Sequence, residues 1–270
     1  MFCFVSCSNE EIKKAENEEV KDYTQAFADL NVQLDSYSQE FLINQPAQLR
    51  RWGGFLAFCL RDAIGAAVGG ISGGGVVGAV ILGAAMSLST VAESNYISPN
   101  LANPPTAILG KEFSAIDSIG YYHNIIIAKL YNKHGDSLFA KDISTLATLV
   151  ANEVSALRIS TTGQSANTFV NSLKSTGQLK ELGSIAKYSE SLEYTEIINQ
   201  VQSKFPQLKS ELNVIKIYYD NISSLSDNAT KEYSTGFNKI VSESEISSSS
   251  ISAIKSSVSV AVNSQLLWAP

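Results

Sequence analysis

His123 and His134 are the only imidazoles among 270 residues, and imidazole is the side chain best suited to act as a general base or metal ligand near neutral pH. His123 is followed by Asn124, whose amide could orient a substrate, and Glu112, Asp117 and Asp136 lie near in sequence. If the segment is helical, His134 sits about three turns further on at 1.5 Å rise per residue, so the two rings do not share one ion. No HExxH, DxD or nucleophile elbow accompanies them. The reading that follows is a structural polar motif, Gly120 with His123 and Asn124, in which a paired donor and acceptor ties a helix to neighbouring backbone. Catalysis through His123 is the alternative. No catalytic residue, metal or cofactor is expected.

The other reactive side chains are Cys3, Cys7 and Cys59, an odd number without a CxxC pair, so their spacing argues for neither a disulfide framework nor a zinc site. Phe4-Val5-Ser6-Cys7 resembles the end of a bacterial lipoprotein signal, in which the cysteine is lipidated after cleavage. Ser8, Asn9, Glu10 and Glu11 resemble the acidic surface-export signal that follows such a cysteine in Bacteroidota lipoproteins. The residues before Cys7 include neither Lys nor Arg and are fewer than the ~7–15 apolar residues of a signal core, so the start is expected to lie upstream. The resemblance implies lipidation at Cys7 and a lipid-anchored place at the outer membrane or cell surface. Secretion is the alternative.

The elements that would position these residues are helical. Val20, Tyr23, Phe27, Leu30, Leu34, Tyr37 and Phe41 alternate steps of three and four, which predicts one amphipathic helix. Pro46 interrupts it, and 47–62 reads as a second helix with Arg50, Arg51 and Trp52 near its start. From about 112 the periodicity predicts helices over 112–134, 142–158, 164–175, 178–188, 190–204, 207–225, 228–243 and 246–266, with ends good to ~2–4 residues. Gly163, Gly177, Gly183 and Pro206 read as breakers between them. The Ser-rich 242–257 stretch carries Ile246, Ile251, Ile254, Val258 and Val262 at helical spacing, which favours a final helix over a disordered tract. The fold class is therefore all-α, a multi-helix bundle with a long glycine-rich apolar helix or helical hairpin.

That apolar element is 63–92, which has no charged residue. Gly65, Gly69 and Gly73 form one four-residue ladder, Gly70, Gly74 and Gly78 another, and Gly75, Ala79 and Gly83 a third. Residues four apart share a helix face, so each ladder is a groove in which a second backbone can come close. Glycine costs about 1 kcal/mol against alanine in a helix in water, so something outside the helix must compensate. A bilayer would do so, and the segment exceeds the ~20 residues of a span, with Arg50, Arg51, Trp52 and Arg61 before it as interface anchors. Burial in a helical bundle would serve equally. Membrane lipid, or a protein partner or self-association through the glycine face, is the expected contact. The pattern also resembles the glycine-zipper segments of small pore-forming bacteriocins, which implies membrane permeabilisation as an alternative activity.

Composition closes off one class. Twenty basic residues against 26 acidic ones give −6, with no local concentration of Lys and Arg to neutralise a run of phosphates, so nucleic acid is not an expected partner. Pro99, Pro104 and Pro105 mark a linker over 93–110, dividing the chain into a tether at 1–19, an apolar part at 20–92 and a helical domain at 111–270. Asp117 through Asn124, with its Gly-x-x-His-Asn, resembles a group of uncharacterised Bacteroidota lipoprotein-like proteins. So do Tyr233-Ser234-Thr235-Gly236 and the run from Val260 to Ser264 leading to Trp268. The resemblance spans about 115–270 and implies a helical envelope protein, with no activity attached. The sequence thus points to a non-enzymatic, lipid-anchored or membrane-associated binding or structural component.

Overall fold

In the computed structural model, the residues described are 22–45, 53–91, 101, 103–109, 116–159, 165–187 and 193–268. They are all-α, with no strand among them. The helices are α1 (Thr24–Ile43), α2 (Gly53–Gly69), α3 (Gly75–Val91), α4 (Ile119–His134), α5 (Ile143–Ala156), α6 (Ala166–Ser175), α7 (Gln178–Ala186), α8 (Tyr194–Lys204), α9 (Lys209–Ile222), α10 (Asp227–Glu243) and α11 (Ser248–Trp268). Cys3, Cys7, Arg50, Arg51, Trp52 and Glu112 lie outside the described residues.

The apolar segment is a hairpin. Ser72 and Gly73 have non-helical backbone angles, and Gly73 and Gly75 take φ of 83° and 51°, a left-handed region that glycine enters without a Cβ clash. The chain therefore reverses at Gly70–Gly74, and α3 returns along α2. A straight helix would hold Asp62 and Ser87 more than ~35 Å apart at 1.5 Å per residue; their side chains are hydrogen-bonded at 2.8 Å. By length and composition Phe55–Val91 could cross a membrane, with a mean hydropathy of 1.8. Folded back, each arm has 17 residues. That is about 25 Å, less than the ~30 Å hydrocarbon layer.

The reversal splits the glycine ladders between two arms and a turn. A Cβ on Gly69 would stand 2.1 Å from the Gly78 carbonyl oxygen, and one on Gly65 would stand 2.5 Å from that of Leu82, so the arms touch backbone to backbone. Gly74 and Gly78 receive the Phe169 ring of α6. Gly70 faces Ala253 and Gly83 faces Val260, both on α11. Gly73 is exposed at the tip and sits in the turn, outside the ladder that its spacing suggested.

Around the hairpin the outer helices bury one side each, while α11 is buried almost all round from Ser256 to Trp268. Helix α11 lies against α2, α3 and α4, and its serines from Ser256 onward are buried, with Ser257 Oγ donating to the Ala63 carbonyl of α2 at 2.9 Å. Helix α1 packs on α9 and α10 through Leu30, Leu34 and the stacked pair Tyr37 and Tyr233, whose centroids are 5.3 Å apart. Asp142, Ser165 and Ser226 cap α5, α6 and α10 by accepting backbone N–H groups. Gly177 and Pro206 mark helix starts as expected, but Gly183 lies inside α7 and packs on Ile143. Helix α4 begins at Ile119, later than its periodicity suggested, after a turn at 116–118.

One hydrophobic core runs from Leu30 to Trp268 and draws on both sides of 93–110. Ala107 is itself buried there, bonded through its N–H and carbonyl to Asn263. The linker expected from its prolines is, in that part, a strap across α11.

The hairpin contact predicts a sharp contrast. Gly69→Ala drives a methyl into the Gly78 carbonyl and should destabilise the fold by roughly 1–3 kcal/mol. At Gly83 the nearest atom is 3.4 Å away, an ordinary contact. Gly83→Ala should stay within about 1 kcal/mol of the parent, helped by helix propensity. Urea unfolding of both variants checks this, and equal losses would contradict the proposed geometry.

Candidate functional site

The polar residues with chemical potential meet where α2, α3, α4 and α11 cross. Asp62 is the centre. It is fully buried on α2, and its Oδ2 accepts Ser87 Oγ from α3 at 2.8 Å and Ser264 Oγ from α11 at 2.5 Å. Trp268 Nε1, in the last turn of α11, donates to Ser87 Oγ at 2.9 Å. Three helices are thereby joined through one carboxylate oxygen.

A second set of bonds lies alongside. His123 Nδ1 is 2.8 Å from Asn124 Oδ1. Asn124 Nδ2 donates to the carbonyls of Pro105 at 2.7 Å and Asn263 at 2.8 Å. Asn263 in turn donates through Nδ2 to the carbonyls of Ala107 and Ser259, both at 2.9 Å, and accepts the Ala107 N–H at 2.8 Å. Gly120 explains why α4 can come this close: a Cβ there would lie 2.1 Å from the Ser259 carbonyl oxygen. Its N–H donates to Ser259 Oγ at 3.0 Å. The two sets meet where His123 Nε2 stands 4.0 Å from Asp62 Oδ2.

Burial governs the electrostatics. It pushes the Asp62 carboxyl up to about 8, against the lowering pull of Ser264, Ser87 and the Arg61 guanidinium. It pushes His123 down to about 4, against the opposing effect of Asn124 and the Gly83 carbonyl. The buried free thiol of Cys59 is raised well above its ordinary range by burial and by Asp62, so it is held as the unreactive thiol. Arg61, read as an interface anchor, is instead only 1% exposed, inside the core beside Asp62.

What this arrangement does chemically is limited by order and access. Acyl transfer needs a hydroxyl hydrogen-bonded to its base. Here both serines donate to the carboxylate, and neither is bonded to the imidazole. Asp62 and His123 are each 0% exposed, which leaves a substrate no approach. Among the described residues no group of three His, Cys, Asp or Glu side chains could hold a metal ion. His134 ends α4, away from His123, and Asp117 stands 3.8 Å from Lys255 instead of entering the cluster. A surface groove of about 900 Å³ is lined by Phe139, Lys141, Asp142, Lys180 and Lys187, none of them part of the cluster.

Sequence spacing thus found Gly120, His123 and Asn124 but missed Asp62, Ser87, Asn263 and Ser264 as their partners. The available signal was Asp62 itself, the last charge before the uncharged run. Compared with known proteins, the chain matches no family model, no curated protein and no solved structure.

Asn263 holds the strap, α4 and α11 together, so Asn263→Ala should lower stability by roughly 3 kcal/mol, at about 1 kcal/mol for each side-chain bond lost. The exposed Asn228→Ala should change it by less than ~0.5 kcal/mol. Denaturant titration separates them. A loss below ~1 kcal/mol at Asn263 would show that the strap is not held by this side chain.

Proposed function

We propose that this chain is a non-enzymatic, membrane-associated protein of a bacterial cell envelope, anchored by lipid on Cys7 and acting as a binding or structural component through its outer helices. The observation that carries the non-enzymatic half is the use made of the reactive groups. Asp62, Asn124 and the core serines are spent on hydrogen bonds to other parts of the chain, His123 is bonded to its neighbour Asn124, and all are closed to solvent. Cys7 and the acidic residues after it support the anchor.

Contact with a partner falls to the outer helices, because the glycine faces are taken by the chain's own backbone and by Phe169, Ala253 and Val260. Helix α1 carries the exposed large hydrophobic residues Val32 and Ile43. The acidic balance of −6 disfavours nucleic acid. Two features argue against permeabilisation by the hairpin: its glycine grooves are filled, and Arg61 and Asp62 stand midway along one arm, where a bilayer would charge several kcal/mol for them.

Metabolic labelling with a palmitate analogue in a Bacteroidota host tests the anchor. Parent protein should take up label and sediment with membranes; Cys7→Ala should lose the label and move at least tenfold toward the soluble fraction. Unchanged labelling in Cys7→Ala would remove the proposed anchor.

A further inference from the structure

The contact between Asp62 and His123 is built so that its protonation matters. Asn124 Nδ2 is committed to two carbonyls, so its Oδ1 accepts, and His123 Nδ1 must carry the hydrogen. The neutral ring therefore turns the lone pair of Nε2 toward Asp62. Neither Nε2 nor Asp62 Oδ1 has a hydrogen-bond partner, and both residues are fully buried. A charge on either one would be expensive in such a place, and the pair avoids charge only when its shared proton sits on Asp62 and the ring stays neutral.

The groups facing the pair come from each helix around it. On α2 they are Arg61 and Cys59, and on α9 Tyr219, whose burial and proximity to Cys59 and Asp62 raise it well above the phenol range. On α3 they are Ser87 and the Gly83 carbonyl, and on α11 Ser264, with Trp268 behind Ser87; none of these titrates. Below pH 8, Arg61 is a constant positive charge and the thiol and phenol are neutral, so the change of state belongs to Asp62 and His123 alone.

We infer that Asp62 and His123 form a proton-held lock on the junction of α2, α3, α4 and α11: the closed junction keeps one proton on the pair, and loss of that proton loosens it. The lock does not depend on where the protein resides.

The direction follows from the titrations. Asp62 moves from 3.8 in the open chain to about 8 when closed, so it withdraws stability as pH climbs between those values. His123 moves from 6.5 to about 4, so it returns stability over that lower range. Between about pH 4 and 6.5 the two nearly cancel, since open and closed chains each carry one proton. Above 6.5 the open chain sheds its proton and the closed one still holds it. Stability must then fall until pH passes about 8. Other displaced carboxylates titrate lower: Asp22, Asp142 and Glu181 are held down by Thr24, Thr145 and Lys204, and Glu153, despite burial, by Lys133 and Lys129.

Urea unfolding of the full chain at constant ionic strength between pH 6 and 8 tests the lock. Parent protein should show its unfolding constant rising roughly tenfold, His123→Gln should steepen that to roughly 50-fold, and Asp62→Asn should reverse it to a roughly fourfold fall. A parent constant that stays level, or an Asp62→Asn variant that weakens with rising pH as the parent does, overturns the lock. If Asp62→Asn does not fold, the comparison of parent with His123→Gln decides, and equal slopes overturn it.

Discussion

Everything in this fold is arranged around one backbone contact, the meeting of α2 and α3 at Gly65, Gly69 and Gly78. Two helices whose backbones meet at glycine form a hairpin of small cross-section and little lateral grip. Glycine's helical penalty of about 1 kcal/mol per residue is offset only if the grooves it leaves are filled. The arms fill part of them for each other, Phe169 fills another part, and α11 closes the rest through Ala253 and Val260. An apolar hairpin lacking charge over 63–91 must also be covered on its outer sides, which is why amphipathic helices surround it.

The same need for closeness explains why the core is rich in serine. Large side chains on α11 would push α2 and α4 away, but an alanine-only helix would leave nothing to fix rotation or register. Serine is small and makes directional bonds. Ser257 donates to α2 at Ala63 and Ser264 to Asp62, while Ser259 receives Gly120 of α4. Each such bond contributes about 1 kcal/mol net, but leaving its partner bare would cost about 1–3 kcal/mol. Alternative registers are therefore disfavoured more strongly than the native one is favoured. In a smooth glycine-lined interface, where packing alone discriminates little between neighbouring registers, this asymmetry supplies the specificity.

How much of this could be read from residues depends on whether the determining signal is periodic. Helix α1 and the helices from α5 onward announce themselves through apolar spacing, and the isoleucines and valines of α11 mark a helix beneath a serine-rich composition. The hairpin was legible only as one of two forms, because the uncharged run has the same composition whether straight or folded. Its decision lies in Gly73 and Gly75, whose positive φ turns the chain, and glycines that turn look the same as glycines that pack. Gly183 shows the converse: a breaker by type, it lies within α7 because Ile143 needs the space. Asp62 could not be paired with His123 by spacing, since their approach is made by the crossing of helices distant in sequence.

That crossing also explains why an ionisable pair stands fully buried in the core. Replacing Asp62 by an apolar residue would leave Ser87 and Ser264 without their acceptor and Trp268 bonded to a serine free to turn, so the carboxyl is retained for the two bonds that its Oδ2 accepts and not for its charge. A neutral carboxyl in apolar surroundings performs this role as long as it keeps its proton. The Arg61 guanidinium pulls in the opposite direction, toward ionisation, and His123 is near enough to share the consequence. The junction is thus a compromise between hydrogen-bond geometry, which requires the carboxyl, and burial, which tolerates it only when neutral.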